Sequence, residues 1–297
     1  MKNAILIAGP TASGKSALAL ELAERHDGIV VNADSMQVYS ILDVLTARPR
    51  PADMERARHV LYGHVHPSAA YSTGAWLRDV TRLVDADFFG ERPAIFVGGT
   101  GLYFRALTEG ISEMPDVPLP VRQHWREALR DQGTAELHRI LSEKDPQAAQ
   151  GLRAGDSQRI VRALEVFDAS GRSIVEWQAA RGKPLIDPES ARFFVIEPER
   201  AELIRRIDRR FEAMVGQGAL KEVEDLCALG LDAALPAMKA IGVRELQAAM
   251  TGKIGFAEAI ERAKIATRQY AKRQATWFRH QFDARWKRLD GKGPFRV

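Results

Sequence analysis

The sequence predicts an α/β fold in which a parallel sheet flanked by helices is interrupted by an all-helical insertion. Three observations carry that reading. Ala4-Ile5-Leu6-Ile7-Ala8, Ile29-Val30-Val31, Ala94-Ile95-Phe96-Val97 and Phe193-Phe194-Val195-Ile196 are short unbroken apolar runs, the pattern of strands buried on both faces. Helical spacing fills the intervals, as in Leu18, Ala19 and Leu22 ahead of Arg25, and such alternation assembles a parallel sheet. From about residue 109 to 189 the buried strands stop, and helical periodicity runs through Val121 to Asp131, Ala135 to Ser142 and Ser157 to Ala169. Pro115, Pro118 and Pro120 precede this block, and Gly182-Lys183-Pro184 with Pro188 follow it, so turn residues bracket it. The expected organisation is a core of residues 1–108 and 190–297 with an insertion at 109–189. Beyond Arg200 the core is expected to be mostly helical to about Arg288.

Composition sets the class. A chain of 297 residues with 45% hydrophobic and 28% charged residues has the balance of a globular protein and not of a disordered or fibrous one. The net charge of +4 does not by itself imply a nucleic-acid partner. The single cysteine, Cys227, excludes an intramolecular disulfide and a Cys-rich zinc module, and its apolar neighbours read as core. No stretch approaches the ~20 apolar residues of a membrane span, and Met1-Lys2-Asn3 lacks a signal-peptide pattern; a cytoplasmic protein is expected. His59, His64 and His66 have neither helical nor finger spacing and read as ordinary surface or capping histidines.

The strongest chemical signal follows the first strand. Gly9-Pro10-Thr11-Ala12-Ser13-Gly14-Lys15-Ser16 fits the P-loop pattern G-x-x-x-x-G-K-[ST] in the strand–loop–helix context the motif requires. Its glycines let backbone N–H groups turn toward phosphate oxygens, and the helix N-terminus adds partial positive charge. Lys15 brings a mobile cation, and the Ser16 hydroxyl is placed to ligate Mg²⁺. The fold expected is therefore P-loop NTPase-like. The loop specifies a diphosphate and not the group attached to it. The Ala94 to Val97 strand ends in Gly98-Gly99-Thr100-Gly101-Leu102-Tyr103 where the usual NTPase has an Asp for Mg²⁺, which weighs against a motor or switch ATPase.

Ligands of open α/β sheets bind at the carboxyl ends of the strands. After Ile29-Val30-Val31 come Asn32-Ala33-Asp34-Ser35-Met36-Gln37-Val38-Tyr39; by position Asp34 suits a base, a Mg²⁺ partner or a helix N-cap, for which Asp is a preferred residue. Thr100, between Gly99 and Gly101, suits a leaving phosphate oxygen or a tight turn.

These motifs, with Thr46-Ala47-Arg48-Pro49, Asp156-Ser157-Gln158-Arg159, Arg162-Ala163-Leu164-Glu165, Lys239-Ala240-Ile241-Gly242, Arg244-Glu245, Lys272-Arg273-Gln274 and Thr276-Trp277-Phe278-Arg279, together resemble the bacterial tRNA dimethylallyltransferases over nearly the whole chain. Arg48 stands where that family often has lysine, and Val243 where an aromatic residue is common. The resemblance implies transfer of a dimethylallyl group from dimethylallyl diphosphate to the exocyclic amine of the adenosine 3′-adjacent to the anticodon, with Mg²⁺ assisting. It implies an insertion that grips the anticodon stem-loop, a channel where donor and adenine meet, and a monomer. Asp34 would be the base, Lys15, Thr100 and Arg210 would support the diphosphate, and Gln37 would hold the space of the extruded base. For tRNA contacts it implies Asp34, Ser35, Met36, Gln37 and Thr100; Arg122, Gln158, Arg159, Ile160, Val161 and Arg162 in the insertion; and Lys239 to Arg244 (Lys239, Ala240, Ile241, Gly242, Val243, Arg244) with Lys272 to Arg279 (Lys272, Arg273, Gln274, Ala275, Thr276, Trp277, Phe278, Arg279).

The residues themselves support an RNA surface only in part. From Arg262 to Arg288 nine Lys or Arg accompany one acid, Asp283, with aromatics interleaved, a mixture that suits phosphates and unpaired bases. Apolar residues at helical spacing are more often core, and that reading is preferred for the aromatics. Arg159 and Arg162 share a helix face opposite Ile160, Val161 and Leu164. Two other classes stay open: a small-molecule or nucleoside kinase using the same loop for ATP, and a non-enzymatic P-loop RNA-binding protein, which leaves Asp34 and Thr100 without a task.

Overall fold

The computed structural model describes residues 1–180 and 182–292. Among them, six strands form one parallel sheet in the order β3-β2-β4-β1-β5-β6: β1 (Ile5–Ala8), β2 (Ile29–Asn32), β3 (His59–Val60), β4 (Ala94–Gly98), β5 (Arg192–Ile196) and β6 (Trp286–Leu289). The four apolar runs are the central strands. Their residues are buried on both faces, one against Trp76, Val80, Phe104 and Phe278, the other against Leu18, Leu22 and Ala23, which is why they show no alternation.

The helices are α1 (Lys15–His26), α2 (Pro51–Arg56), α3 (Thr73–Asp85), α4 (Gly101–Glu109), α5 (Leu119–Lys144), α6 (Pro146–Gln150), α7 (Ser157–Ser170), α8 (Ile174–Ala179), α9 (Arg200–Gly216), α10 (Ala219–Ala228), α11 (Val243–Met250) and α12 (Phe256–Gln281). This is a P-loop NTPase-like core. The register aligns the strand ends that matter: Ala8 pairs with Gly98 and Val195, and Asn32 with Val97. The chain therefore leaves β1, β2 and β4 at one level of the sheet edge, where ligands of such folds bind.

Two compact units are present, Met1–Thr108 with Leu185–Val297, and Glu109–Pro184. The second is helical and closes around Trp125, Leu137, Leu141, Ile160 and Leu164. Its α5 bends at Gly133, where φ is 80° and ψ 173°, a conformation that glycine alone adopts without strain. The expected boundary at 189 lies too late: the Leu185 and Ile186 N–H groups donate to the Leu107 carbonyl at the end of the core segment, and Ile186 is buried in the core.

The C-terminal expectation also needs correcting. The helix stops at Gln281, and Trp286-Lys287-Arg288-Leu289 pairs with β5 as an edge strand. Trp286 is buried, Lys287 and Arg288 are exposed and Leu289 is half-buried, so these four residues carry no strand alternation and cannot be separated from a helical turn in the sequence alone. His59–Val60 was likewise too short to show. Three aromatics of this region pack inward as preferred: Phe278 is fully buried, Phe282 stacks on Trp286 at 3.6 Å, and Phe104 meets Phe282 and Trp286; Tyr270 and Trp277 are only half-buried.

Candidate active site

The phosphate loop is shaped by its backbone. Ala12 at φ 63° and Gly14 at φ 95° turn the chain left-handed, and the Ser13 N–H bonds to the Pro10 carbonyl at 3.2 Å. The N–H groups of Gly14, Lys15 and Ser16 are left at the head of α1, where a helix has no acceptors of its own and its dipole favours an anion. Lys15 Nζ lies 3.3 Å from the Pro10 carbonyl. Burial pushes this lysine down from 10.5 to about 8, Asp34 opposing the shift and Arg210 adding to it. Arg210, also shifted down by burial, donates to the Thr11 hydroxyl. The Ser16 hydroxyl is exposed on the first turn of α1.

Asp34 is fixed by buried neighbours at the end of β2. Asn32 accepts the Asp34 N–H at 2.9 Å and donates to the Asp34 and Leu61 carbonyls at 3.0 Å each. Trp76, fully buried and stacked on Tyr103 at 4.1 Å, donates its indole N–H to the Asn32 carbonyl. Asp34 Oδ1 accepts the Met36 N–H at 2.9 Å, an Asx-turn. Asp34 Oδ2 lies 3.3 Å from where a side chain on Gly99 would begin.

Thr100 is joined to the same turn. Its Oγ1 accepts the Ser35 N–H at 2.9 Å and donates to Ser35 Oγ at 3.3 Å, and its N–H donates to the Ala33 carbonyl. That approach demands Gly98, because a Cβ there would fall 1.9 Å from the Ala33 oxygen. Gln37 donates to the Thr46 and Ala47 carbonyls at 2.9 Å each, so its amide holds the neighbouring loop. Glu222 of α10 completes that loop's support, accepting N–H bonds from Asp43, Val44 and Leu45 at 2.8, 2.6 and 3.0 Å.

Thr11 of the phosphate loop, the Asp34 turn and Leu45 with Thr46 border a cavity of about 310 Å³, whose lining does not include Thr100. Thr11, Asp34, Ser35 and Met36 form one side; Ile207, Arg210, Phe211 and Met214 of α9 form another; Lys239, Ala240 and Ile241, with Thr267, Tyr270 and Arg273 of α12, close it. Two ion pairs align α9 with α12: Lys264 to Glu212 at 2.6 Å and Arg268 to Asp208 at 2.9 Å. Arg210 is thereby aimed at Thr11, a role that nothing in Arg209-Arg210-Phe211 distinguishes from its exposed neighbours. Sequence reading missed the wall Ile207, Phe211 and Met214, whose i, i+4, i+7 spacing was a visible signal, and missed Tyr270 and Thr267 as cavity residues.

The other expected RNA contacts divide by exposure. Ala240, Gly242 and Val243 are buried, as are Gln274 and Phe278, leaving Lys239, Arg244, Lys272, Arg273, Thr276 and Arg279 exposed, with Ala275 and Trp277 half-buried. In the insertion, Ile160 and Val161 belong to its core, so their side chains offer RNA nothing; Gln158 and Arg159 are exposed and Arg162 half-exposed. Arg159 pairs with Asp156 at 3.4 Å, Arg162 with Glu165 at 3.4 Å and Arg122 with Asp116 at 3.8 Å, while Arg122 Nε is buried without a hydrogen bond.

The chain matches the family model described as IPP transferase over residues 37–281, and that described as isopentenyl transferase over residues 2–64. The chain belongs to the IPP transferase family. The tRNA dimethylallyltransferase of Mesorhizobium japonicum is 69% identical over 97% of this chain and 90% of its own length, and that of a Chelativorans species is 57% identical over 97% and 99%. Among solved IPP transferase structures, the tRNA isopentenylpyrophosphate transferase of Bacillus halodurans is 31% identical with a TM-score of 0.68, covering 98% of this chain and 90% of that one. A eukaryotic dimethylallyltransferase acting on tRNA is 26% identical with a TM-score of 0.79, covering 98% and 74%. Among the described residues no helix is long and apolar enough to cross a membrane.

Proposed function

We propose that this IPP transferase moves the dimethylallyl group of dimethylallyl diphosphate to the exocyclic amine of the adenosine 3′-adjacent to the anticodon of tRNA. The observation that carries the reading is the meeting at one cavity of a phosphate loop, a carboxylate and an apolar wall. The N–H groups at the head of α1, with Lys15 and Arg210, face the diphosphate as charge develops on it, the form of help such a leaving group needs. Phe211, Met214 and Ile207 receive the alkyl group. Asp34 Oδ1 is committed to Met36, and Oδ2 accepts the proton of the attacking amine. The amine nitrogen bonds to the allylic carbon, the carbon–oxygen bond breaks, its electron pair leaves with diphosphate, and the proton passes to Asp34.

Mg²⁺ fits this donor set. Among the described residues no group of three His, Cys, Asp or Glu could hold a metal by itself, and the exposed Ser16 hydroxyl beside a diphosphate site is the oxygen environment that Mg²⁺ takes with substrate phosphates and water. When bound it supplies further neutralisation of leaving-group charge. The target base must leave its stack to enter the cavity, at a cost of a few kcal/mol. The exposed Lys239, Arg244, Lys272, Arg273 and Arg279 of the core unit, and Gln158, Arg159 and Arg162 of the insertion, are the proposed contacts to the anticodon stem-loop, with Arg122 contributing. Every group in this scheme comes from one chain, so a monomer suffices. Incubation with unmodified tRNA, Mg²⁺ and dimethylallyl diphosphate, followed by nucleoside mass spectrometry, should yield a prenylated adenosine. Phosphoryl transfer from ATP with no such product would promote the kinase reading.

A further inference from the structure

Gln274 sits on α12 amid the basic residues expected to meet RNA, yet its side chain is buried. A buried amide must place its donors and its acceptor or lose the desolvation energy. Gln274 Oε1 accepts the Thr11 N–H at 2.9 Å, and Nε2 donates to the Gly99 carbonyl at 2.9 Å. The orientation is fixed by chemistry, since Thr11 N–H can only donate and the Gly99 oxygen only accept. Thr11 lies in the phosphate loop, and Gly99 immediately precedes Thr100. One side chain therefore straps together the turns that follow β1 and β4.

The packing admits no slack. A Cβ at Gly99 would fall 2.1 Å from Gln274 Nε2, and one at Gly101 would fall 2.1 Å from the Trp277 ring one turn along α12. The strap also commits the Thr11 N–H, so a bound diphosphate draws on the N–H groups of Gly14, Lys15 and Ser16 and on the cations, and not on Thr11. With its amide withheld, the Thr11 hydroxyl is left to take up Arg210.

We propose that Gln274 is a positioning residue for the diphosphate, holding the phosphate loop and the Thr100 turn at a fixed separation, and is not an RNA contact. The inference rests on the proposed function in taking diphosphate as the ligand. Charged and titratable groups around the strap are Asp34 across Gly99, Lys15 and Arg210 at the phosphate loop, and Tyr270 on the preceding turn of α12.

Gln274→Glu tests it with almost no change of shape. The variant keeps an acceptor for Thr11, but when ionised it sets an oxygen against the Gly99 carbonyl where Gln274 has a donor; when protonated, its O–H restores the bond. Binding of inorganic diphosphate with Mg²⁺ is measured by calorimetry on the full chain at about pH 8 and about pH 5.5, on either side of a carboxyl raised by burial. Each value is expressed relative to wild type at the same pH, which cancels the titration of diphosphate and Lys15. Gln274→Glu should bind about 10- to 100-fold more weakly at the higher pH and recover toward wild type at the lower one. Gln274→Ala should be weakened at both, with affinity for unmodified tRNA unchanged in each variant. Amide exchange gives a second reading: the Thr11 N–H should exchange slowly in wild type and at least 10-fold faster in the isosteric Gln274→Met. A pH-independent ratio near one for Gln274→Glu, or lost tRNA affinity with diphosphate binding intact, overturns the inference. Absence of diphosphate binding in the wild type would instead remove the proposed function and the strap's purpose with it.

Discussion

Replacing Asp34 by Asn separates the two tasks that the structure gives this side chain. Oδ1 holds the Met36 N–H at 2.9 Å, and an Asn oxygen can make the same bond, so the Asx-turn survives. The main chain of residue 34 is held independently by Asn32, and stability should change by no more than about 0.5 kcal/mol, the scale of exchanging Asp for Asn at a cap. What disappears is the basicity of Oδ2. Loss of general-base help is worth about 10²- to 10⁴-fold, or about 2.7 to 5.5 kcal/mol on the barrier. One side effect must be controlled: Asp34 raises Lys15 against the lowering by burial, so the variant holds that lysine's proton less tightly and binds the donor less well near pH 8. The assay is therefore a single-turnover rate at about pH 7 with saturating donor, which isolates chemistry from association and product release. A near-wild-type rate would refute the reasoning, leaving Asp34 as a turn residue and the amine without a proton acceptor.

Lys15→Met should weaken donor binding and slow transfer, because it removes a cation aimed at the leaving group; unchanged donor affinity and rate would remove the loop from the mechanism. With Lys15 lowered to about 8, wild-type donor affinity should fall as pH rises through about 8. The unfolded chain binds more protons than the folded one between about 8 and 10.5 at this position, so donor-free stability contributed by Lys15 should rise with pH across that window. The Met variant should lose both dependences, as titrated donor affinity and melting temperature would show. Affinity for tRNA should fall steeply with salt, and Arg159→Ala or Arg279→Ala should each reduce the slope of log affinity against log salt by about one; a salt-independent affinity contradicts these contacts. Glu222→Gln leaves one carbonyl oxygen for the three N–H groups that the carboxylate now holds, and should cost about 1 to 3 kcal/mol in melting experiments while raising the KM for substrates that enter beside Leu45 and Thr46. An unchanged KM would show that this loop does not shape the cavity.

The central sheet and the phosphate loop were legible because both are local: apolar runs without alternation mark strands buried on two faces, and the loop's glycines and lysine are contiguous. Asp34 and Thr100 were legible as strand-end residues, and the register of β1, β2 and β4 shows why they share a rim. What could not be read depends on pairs distant in the chain. Glu222 lies 177 residues or more from the amides it accepts, and Gln274 lies 263 residues from Thr11, so neither carries a local pattern. The buried Ile160, Val161, Val243 and Phe278 fall inside motifs that also contain exposed cations; a family motif marks a segment, and helical phase decides which of its side chains reach the solvent. The edge strand Trp286–Leu289 was hidden because four residues hold too little periodicity to oppose a long helix before them.

The most direct test supplies isotope-labelled dimethylallyl diphosphate and ATP together, with unmodified tRNA and Mg²⁺, and follows both donors by rapid quench. The account predicts label appearing on a single adenosine beside the anticodon, with an equal amount of diphosphate released in the same phase and ATP untouched. Phosphate from ATP appearing on the RNA or on a small acceptor, with no label on adenosine, would contradict it.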